Sequence, residues 1–482
     1  MNTKKMLQRI ALLPYWKEIS ALESLSGLPF YLVGGSVRDL LLERPVSDLD
    51  IVAGRQAVAA AREFAGVAQG AFVPLDWARE TVRVVVDDNV FDFSAIKGNT
   101  IIEDLAKRDF TINAIAVKVD SQGRLPEKLT DPFNGVRDLY ARRLIPCSDG
   151  IFLADPLRIL RAYRLAAAIG LLMSEGLVQL ISRDRKGLTR TSPERIRDEL
   201  FLILAHRQSN RTIKEMDAAG IISTLFPETD LMKKTAQDRY HHLDVWEHSL
   251  VALEKLEEII LDLPGFFDVY SPDVSAFLES SLVRGRPVKS LVKLAALFHD
   301  AGKPRTRFMD EHGAAHFHGH ERAGGIMMKK MAKRLKLSRR ETEFAARLVS
   351  GHMHPHHLLS VSSPSLKSLV RFLGRYADCF WGLFCIYYAD LLAKQGPESE
   401  KSRLVKAHDR LMSLVSSYFR EIRPRQIKMP ILTGRDLIEE LGLKPGPLFK
   451  EILKKTEEAY LEGRIEDKRE AIEFARRISG PE

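Results

Sequence analysis

The chain has 482 residues, about three times the ~150 residues of an ordinary domain, so two to four domains are expected. With 45% hydrophobic and 28% charged residues, its composition is globular and excludes disordered, collagen-like and silk-like chains. The 73 basic and 64 acidic side chains leave a net +9 that is unevenly placed: residues 322–340 carry eight basic groups and no acidic one, and residues 401–430 carry eight against two. Such clusters attract phosphate backbones through counterion release, although solvated helix faces account for them equally well. No apolar run approaches the roughly 18 to 20 residues that cross a bilayer, and the start has no apolar stretch of signal-peptide length. The three cysteines, Cys147, Cys379 and Cys385, match neither a disulfide framework nor a thiolate metal site. The expectation is a soluble, cytoplasmic protein with reduced thiols and no membrane partner. The sequence leaves its oligomeric state open.

In chain order, YLVGG from Tyr31 reads as a strand ending in a tight turn, and SVRDLLLE as a helix. SDLDIVAG reads as a second strand, RQAVAAAREFA as a helix, and TVRVVVDD and VFDFSAI as further strands. After about residue 150 strand signals nearly vanish. LADPLRILRAYRLAAAIGL, SPERIRDELFLIL, SLVALEKLEEII and the last 35 or so residues carry apolar groups at helical spacing. The fold class is therefore α+β, a small mixed-sheet head followed by mostly helical parts. Seams are expected near Cys147–Ile151, near Phe226–Tyr240 and at RPRQIKMP, whose two prolines frame a linker.

Asp48 and Asp50 in SDLDIV lie two apart on a strand, so both carboxylates project from one face. Magnesium takes oxygen ligands and keeps substrate phosphates in its shell, so this pair suits it. Gly34 and Gly35 at the preceding strand end would let a triphosphate approach the backbone, with Arg38 one helical turn beyond. A DxD pair alone is a weak signal, since aspartates are common in turns and caps. Asp92 in FDF is a candidate third acidic group.

Taken together, GGSVRDLLLERPVSDLDIV resembles the signature of nucleotidyltransferases of the DNA polymerase β superfamily. Its GGxVRD opening is similar to the class II branch of tRNA CCA-adding enzymes and poly(A) polymerases. KRDFTINAIA resembles that family's RRDFTINA motif, linked there to ribose recognition; Lys107 replaces the first arginine, while Arg108, Asp109 and Asn113 match. DPFNGVRDLYARRLI resembles the flexible-loop motif. ADPLRILRAYR matches the nucleotide-selecting motif EDxxR at Asp155, Arg158, Arg161 and Arg164, and SPERIRDEL looks like the last motif of the set. At helical spacing, Asp155 and Arg158 would share one face and read a base edge, with Arg161 and Arg164 continuing it toward triphosphate or primer. The family's glutamate before the aspartate is Ala154 here, which leaves the nucleotide preference open.

Of the 14 histidines, 12 fall between His241 and His357. YHHLDVWEHSL, LAALFHDAGKP, HFHGHERAG, GHMHPHH and YYADLLA form an ordered series that resembles the HD metal-dependent phosphohydrolase domain. By that resemblance His248, His299, Asp300 and Asp390 are the core ligands, and His320 and His352 complete a second-metal option. Mixed nitrogen and oxygen ligands suit manganese, nickel, iron or zinc. The tail, MPILTGRDLIEELGLKPGPLFKEILKKTEEAYLEGRI, resembles the C-terminal module of HD-bearing CCA-adding enzymes, which holds tRNA.

The resemblance implies four parts: a nucleotidyltransferase head over 1–148, a helical neck over 149–235, an HD domain over 236–400 and a tRNA-binding tail over 401–482. The implied activity is template-independent addition of nucleotides from CTP and ATP to the 3′ end of tRNA, with magnesium and release of pyrophosphate. CC-adding, A-adding and poly(A)-adding variants share the motifs. An HD phosphohydrolase of nucleotides or RNA ends, and a non-enzymatic RNA-binding protein, are the readings from other classes.

Overall fold

The computed structural model describes residues 8–26, 29–46, 48–54, 56–78, 80–119, 128–236, 243–361, 364–394 and 399–479. His241 and His242, part of the histidine series, lie outside the described residues. The chain divides into two compact units: Met1–Glu199 with Glu215–Leu225, and Leu200–Lys214 with Phe226–Glu482.

The first unit is built on a six-stranded sheet in the order β3-β4-β5-β2-β1-β6. Its strands are β1 Phe30–Val33, β2 Asp48–Ala53, β3 Ala71–Asp76, β4 Thr81–Val86, β5 Asn89–Ala95 and β6 Ala116–Val119. Only β2 and β5 run parallel; the other neighbours are antiparallel. Alternation sorts the residues of β2 and β5. Leu49, Ile51, Phe91 and Phe93 are buried, and helix α2 (Ala57–Val67) covers that face, packing Phe64 at a tilt against Phe91 at 4.7 Å and Phe93 at 5.5 Å between ring centroids. Asp48, Asp50 and Asp92 are thereby left on the opposite face. Farther along that face Val52 packs with Val33, Leu105, Ala114 and Ala116. The short helix α1 (Gly35–Leu41) runs from the end of β1.

The helix expected through LADPLRILRAYR is two helices, α3 (Ile151–Ala154) and α4 (Arg158–Ile169). Pro156 explains the break: the residue before a proline is pushed out of the α region, and Asp155 is extended at φ −151°, ψ 99°. Gly170, left-handed at φ +75°, ends α4. Helix α5 spans Pro193–Ala205.

Among its described residues, the regular structure of the second unit is helical except for strands of two or three residues. Helix α6 (Val245–Leu261) starts with a reciprocal capping box between Asp244 and Glu247. Helix α7 (Val288–Leu297) is buried almost all round. The glycines of α8 (His320–Arg334) let it lie close to α9 (Arg339–Gly351): a Cβ on Gly324 would stand 3.0 Å from Val349, and one on Gly325 2.8 Å from Ser350. Helices α10 (Met353–Ser360) and α11 (Phe380–Ala393) follow, the latter buried along FWGLFCIYYAD except at Trp381. RPRQIKMP is not an extended linker. Residues Arg423–Ile427 are helical, because Pro424 sits in the first turn, where its missing N–H is not needed. The tail has its own core of Leu432, Leu437, Ile452, Ala459, Tyr460, Ile465, Ala471 and Ala475.

Candidate functional site

At the head, Ser36 ties the glycine turn to β2. Its hydroxyl accepts from the Asp50 amide at 2.8 Å and donates to the Asp48 carbonyl at 3.1 Å. Gly34 is left-handed at φ +71°, and a Cβ there would lie 2.8 Å from Asp50 Oδ2 and 3.0 Å from Arg108 Nη1, so only glycine fits this cradle. Asp48 is exposed and Asp50 half-buried as a residue. Burial, reinforced by the negative charge of Asp92, raises the Asp50 carboxyl pKa, while Arg108, the Gly35 amide and Arg161 oppose the rise. A carboxylate so placed gains from a cation, and an oxygen-only donor set suits a hard divalent one. The residues present therefore fit such a metal.

The motif residues form a chain of contacts behind the turn. Arg38 donates to Asn113 Oδ1 at 2.7 Å and pairs with Asp39; Asn113 Nδ2 donates to Asp109 Oδ1 at 3.0 Å; Asp109 Oδ2 meets Arg161 Nη2 at 3.0 Å. Although burial favours its neutral form, Arg161, Asn113 and the Phe110 amide hold the Asp109 carboxyl below the usual range. Arg108 pairs with Asp104 at 3.1 Å.

Asp155 and Arg158 do not share the helical face that their spacing suggests. Asp155 Oδ1 accepts from the Leu157 amide at 3.2 Å and Oδ2 meets Arg195 Nη2 at 2.7 Å. Arg158 Nη2 donates to the Lys107 carbonyl at 2.7 Å and Nη1 to that of Arg108 at 3.4 Å. Two separate tethers thus replace the expected shared face. Arg164 pairs with Glu199 at 2.6 Å. Sequence reading missed Ser36, Asp104 and Arg195. Asp104 was visible as an acid four residues before Arg108, which lies just past the end of the helix Ile101–Ala106; Arg195 gave no local signal.

In the second unit all six ligand candidates come together, in two groups whose ligand atoms lie within 4.8 Å of one another: His248, His299 and Asp390, and Asp300, His320 and His352. All six are buried. His248 comes from α6, His299 and Asp300 follow α7, His320 opens α8, His352 follows α9 and Asp390 lies on α11. Gly302 makes this approach possible, since a Cβ there would lie 2.0 Å from the His320 carbonyl oxygen. The Nδ1 atoms of His299, His320 and His352 each lie 2.8 Å from a carbonyl oxygen three residues earlier. That contact fixes Nδ1 as the donor and turns a lone pair on Nε2 inward, the arrangement of metal-ligating histidines. His248 Nε2 lies 3.0 Å from Asp390 Oδ1, and His320 and His352 face each other at 3.2 Å between Nε2 atoms. The buried His299 Nε2 faces Asp300 Oδ2 at 3.2 Å and Asp390 Oδ1 at 3.8 Å. These residues fit a metal with mixed nitrogen and oxygen ligands.

Charge in this cluster is strongly coupled. Burial works against a charged His299, yet without a metal Asp300 and Asp390 hold its pKa up at about 10, so a metal bound there would displace the Nε2 proton and take up its lone pair. Burial and the neighbouring His299 push His352 well below the ordinary value. Three further residues touch the acidic ligand candidates: Lys303 at 2.6 Å from Asp300, and Lys394 and His356 each at 2.8 Å from Asp390. For Lys303 and Lys394 the spacing, three or four residues after the aspartate they touch, was a usable signal; His356 meets Asp390 only through the fold.

The chain matches the Poly A polymerase head domain family over residues 30–145 and the HD domain family over 245–414. It also matches the families described as "Probable RNA and SrmB- binding site of polymerase A" over 170–232 and "tRNA nucleotidyltransferase domain 2 putative" over 423–475. It is 32% identical over 456 residues to the A-adding tRNA nucleotidyltransferase of Deinococcus radiodurans, covering 92% of this chain and 94% of that one. It is 31% identical over 459 residues to the CC-adding tRNA nucleotidyltransferase of Thermus thermophilus, with the same coverage. In fold it is similar to a Thermotoga maritima CCA-adding enzyme complexed with tRNA, at TM-score 0.62 and 22% identity over 100% of this chain and 99% of that one. The chain belongs to the tRNA nucleotidyltransferase and poly(A) polymerase family and is an enzyme of the nucleotidyltransferase class.

Proposed function

We propose that the protein adds nucleotides from CTP, ATP or both to the 3′ end of tRNA without a template, releasing pyrophosphate. Asp48 and Asp50 would hold magnesium, which when bound helps deprotonate the RNA terminal hydroxyl and neutralises the leaving diphosphate. Gly34 and Gly35 leave room at the turn for the triphosphate, and Arg38 stands behind them. Arg108, Asp109 and Asn113 would position the sugar. Asp155 and Arg158 would read the base edge, each already oriented by its tether, so that donor and acceptor groups are set before the nucleotide arrives. Arg161 would bridge Asp109 to the triphosphate side, and Arg164 would sit toward the primer. The observation that carries this reading is the buried Asp50 carboxylate beside the Gly34 turn, with Asp48 on the same strand face.

The working parts we infer are a head over 1–148, a neck over 149–235, an HD part over 236–400 and a tRNA-holding tail over 401–482, in a protein of the cytoplasm. Among the described residues no helix is long and apolar enough to cross a membrane. The test is incorporation of single nucleotides into tRNA ending in each intermediate of CCA, with magnesium. The pattern separates CC-, A-, CCA- and poly(A)-adding activity, and normal addition by Asp48→Ala would remove the proposed site.

The six-residue cluster favours a second activity on the same chain, metal-dependent hydrolysis of a phosphomonoester or cyclic phosphate at a nucleotide or RNA end. Manganese, nickel, iron or zinc would polarise the phosphorus–oxygen bond there. Release of phosphate from a phosphomonoester, or opening of a cyclic phosphate to its monoester, with manganese or nickel tests it, and neither product from metal-loaded protein refutes it.

A further inference from the structure

The carboxylate face of the head holds one basic side chain that the motifs leave unexplained. Val73, Arg83, Asp92, Asp50 and Val33 are successive register partners across β3, β4, β5, β2 and β1. Register partners project from the same face of a sheet, so Arg83 stands in the row of the acidic groups, one strand beyond Asp92. Its Nε and Nη2 donate to Asp92 Oδ1 and Oδ2, each at 2.8 Å, a two-pronged pair that matches fork to fork. The Arg83 side chain is 41% exposed and that of Asp92 27%, so both are reachable from solvent. The bond to Asp92 raises the guanidinium pKa against partial burial, and the charges of Asp92, Asp48 and Asp50 add to it. Among the described residues, the groups of three ligand atoms within 4.8 Å both belong to the histidine cluster. Asp48, Asp50 and Asp92 make no such group, and both Asp92 oxygens are engaged by Arg83.

We propose that Arg83 is a positioning residue that holds Asp92 out of the metal shell of Asp48 and Asp50, and so weakens binding of divalent metal that arrives without a nucleotide. The inference rests on the reading of Asp48 and Asp50 as the metal platform. A divalent ion on Asp50 would otherwise draw in Asp92, its direct partner on the parallel strand, as a further oxygen ligand. To do so it must break a charge-assisted two-pronged bond and sit beside a fixed positive charge. Metal that enters on a triphosphate brings phosphate oxygens with it and has less need of Asp92. The platform is thereby biased toward metal and nucleotide entering together.

The test is Mn²⁺ binding to the full chain without nucleotide, followed by the electron paramagnetic resonance of the free ion. Asp48→Asn with Asp50→Asn, which leaves the histidine cluster intact, defines the transfer-site share of bound Mn²⁺. Arg83→Met should tighten that share about tenfold, the scale of one charge acting on a divalent ion across a few ångströms of partly solvated site. Arg83→Met combined with Asp92→Asn should return it to the wild-type affinity. Thermal melts check that each variant folds, and Arg83→Gln serves in place of Arg83→Met if that one does not. Unchanged or weaker binding in the Arg83 variants overturns this inference alone, as does tightening that persists undiminished with Asp92→Asn. If Asp48→Asn with Asp50→Asn removes no bound Mn²⁺, the platform reading falls and this inference with it.

Discussion

The head and the histidine cluster gather acidic groups in opposite ways. In the head, three aspartates on one sheet face have three surroundings: Asp48 exposed, Asp50 half-buried beside a glycine turn, and Asp92 paired with Arg83. In the second unit the six ligand candidates are all buried on or beside helices, and their acids touch imidazoles and the lysines Lys303 and Lys394. A sheet face keeps one side open, which suits a site that must admit a triphosphate and an RNA end. A cluster closed by helices sets its own charge state through its neighbours, which suits a resident ion. On the proposed reading, carboxylates would serve turnover of large substrates in one place and, joined by imidazoles, retention of metal in the other.

The sharpest break of this contrast is Asp50→Asn. Addition of CMP or AMP to tRNA should fall by on the order of 10³-fold, the scale of removing one charge stabiliser from a preorganised site. Asp300→Asn, by contrast, should reduce the metal retained after dialysis, measured by elemental analysis. If Asp50→Asn kept full addition activity, the open face would not be the transfer site.

The next largest effect concerns how the helical unit tolerates buried charge. Lys293 is 2% exposed and donates to Glu257 at 2.7 Å; Glu257 also accepts from Ser209 and the amide of Asn210. Glu257→Ala strands a buried ammonium and should cost about 3 to 5 kcal/mol in urea unfolding, whereas Lys293→Met with Glu257→Leu should cost much less. Equal losses in the two variants would mean that packing, not charge, holds α6 to α7.

Arg158→Met sharpens the head's side of the comparison. The donor fork sits on the carbonyls of Lys107 and Arg108, so its loss should change the ratio of kcat/KM for CTP and ATP by about 10- to 100-fold. A uniform fall for both nucleotides would assign Arg158 to the sugar or triphosphate instead. Gly34→Ala should cost about 1 to 2 kcal/mol of stability from the left-handed backbone alone, and more in activity, because the new Cβ meets Asp50 Oδ2.

Motifs that are contiguous in the chain were legible because strand alternation and glycine turns are local rules. Asp48 and Asp50 on one face, the GG turn and the helix after it all follow from periods of two and 3.6 residues. The histidine series was legible as an order of types, and the fold brings its six members together. What local reasoning missed depends on register, on contacts between distant segments or on a single proline. Arg83 reaches Asp92 only through the pairing of β4 with β5, and Arg195 reaches Asp155 across 40 residues. The helical face drawn through Asp155 and Arg158 failed because one residue, Pro156, excludes Asp155 from the helix.

The smallest expected effect is a pH dependence in which Asp109 serves as the satisfied counterpart of Asp50. Both are carboxylates with buried oxygens near Arg161, yet Asp109 makes a direct ion pair with it and titrates low, while Asp50 titrates high. A folded-state pKa below the unfolded value adds stability that is fully present above about pH 4 and fades as the pH falls through the lowered value. Asp109→Asn should therefore be less stable than the wild type at neutral pH, with the gap in Tm closing steadily toward acid. A gap that stayed constant down to about pH 3 would mean that Asp109 acts through the geometry of its bonds to Asn113 and Phe110. The ion pair would then contribute little, and the contrast with Asp50 would lie in placement, not in charge.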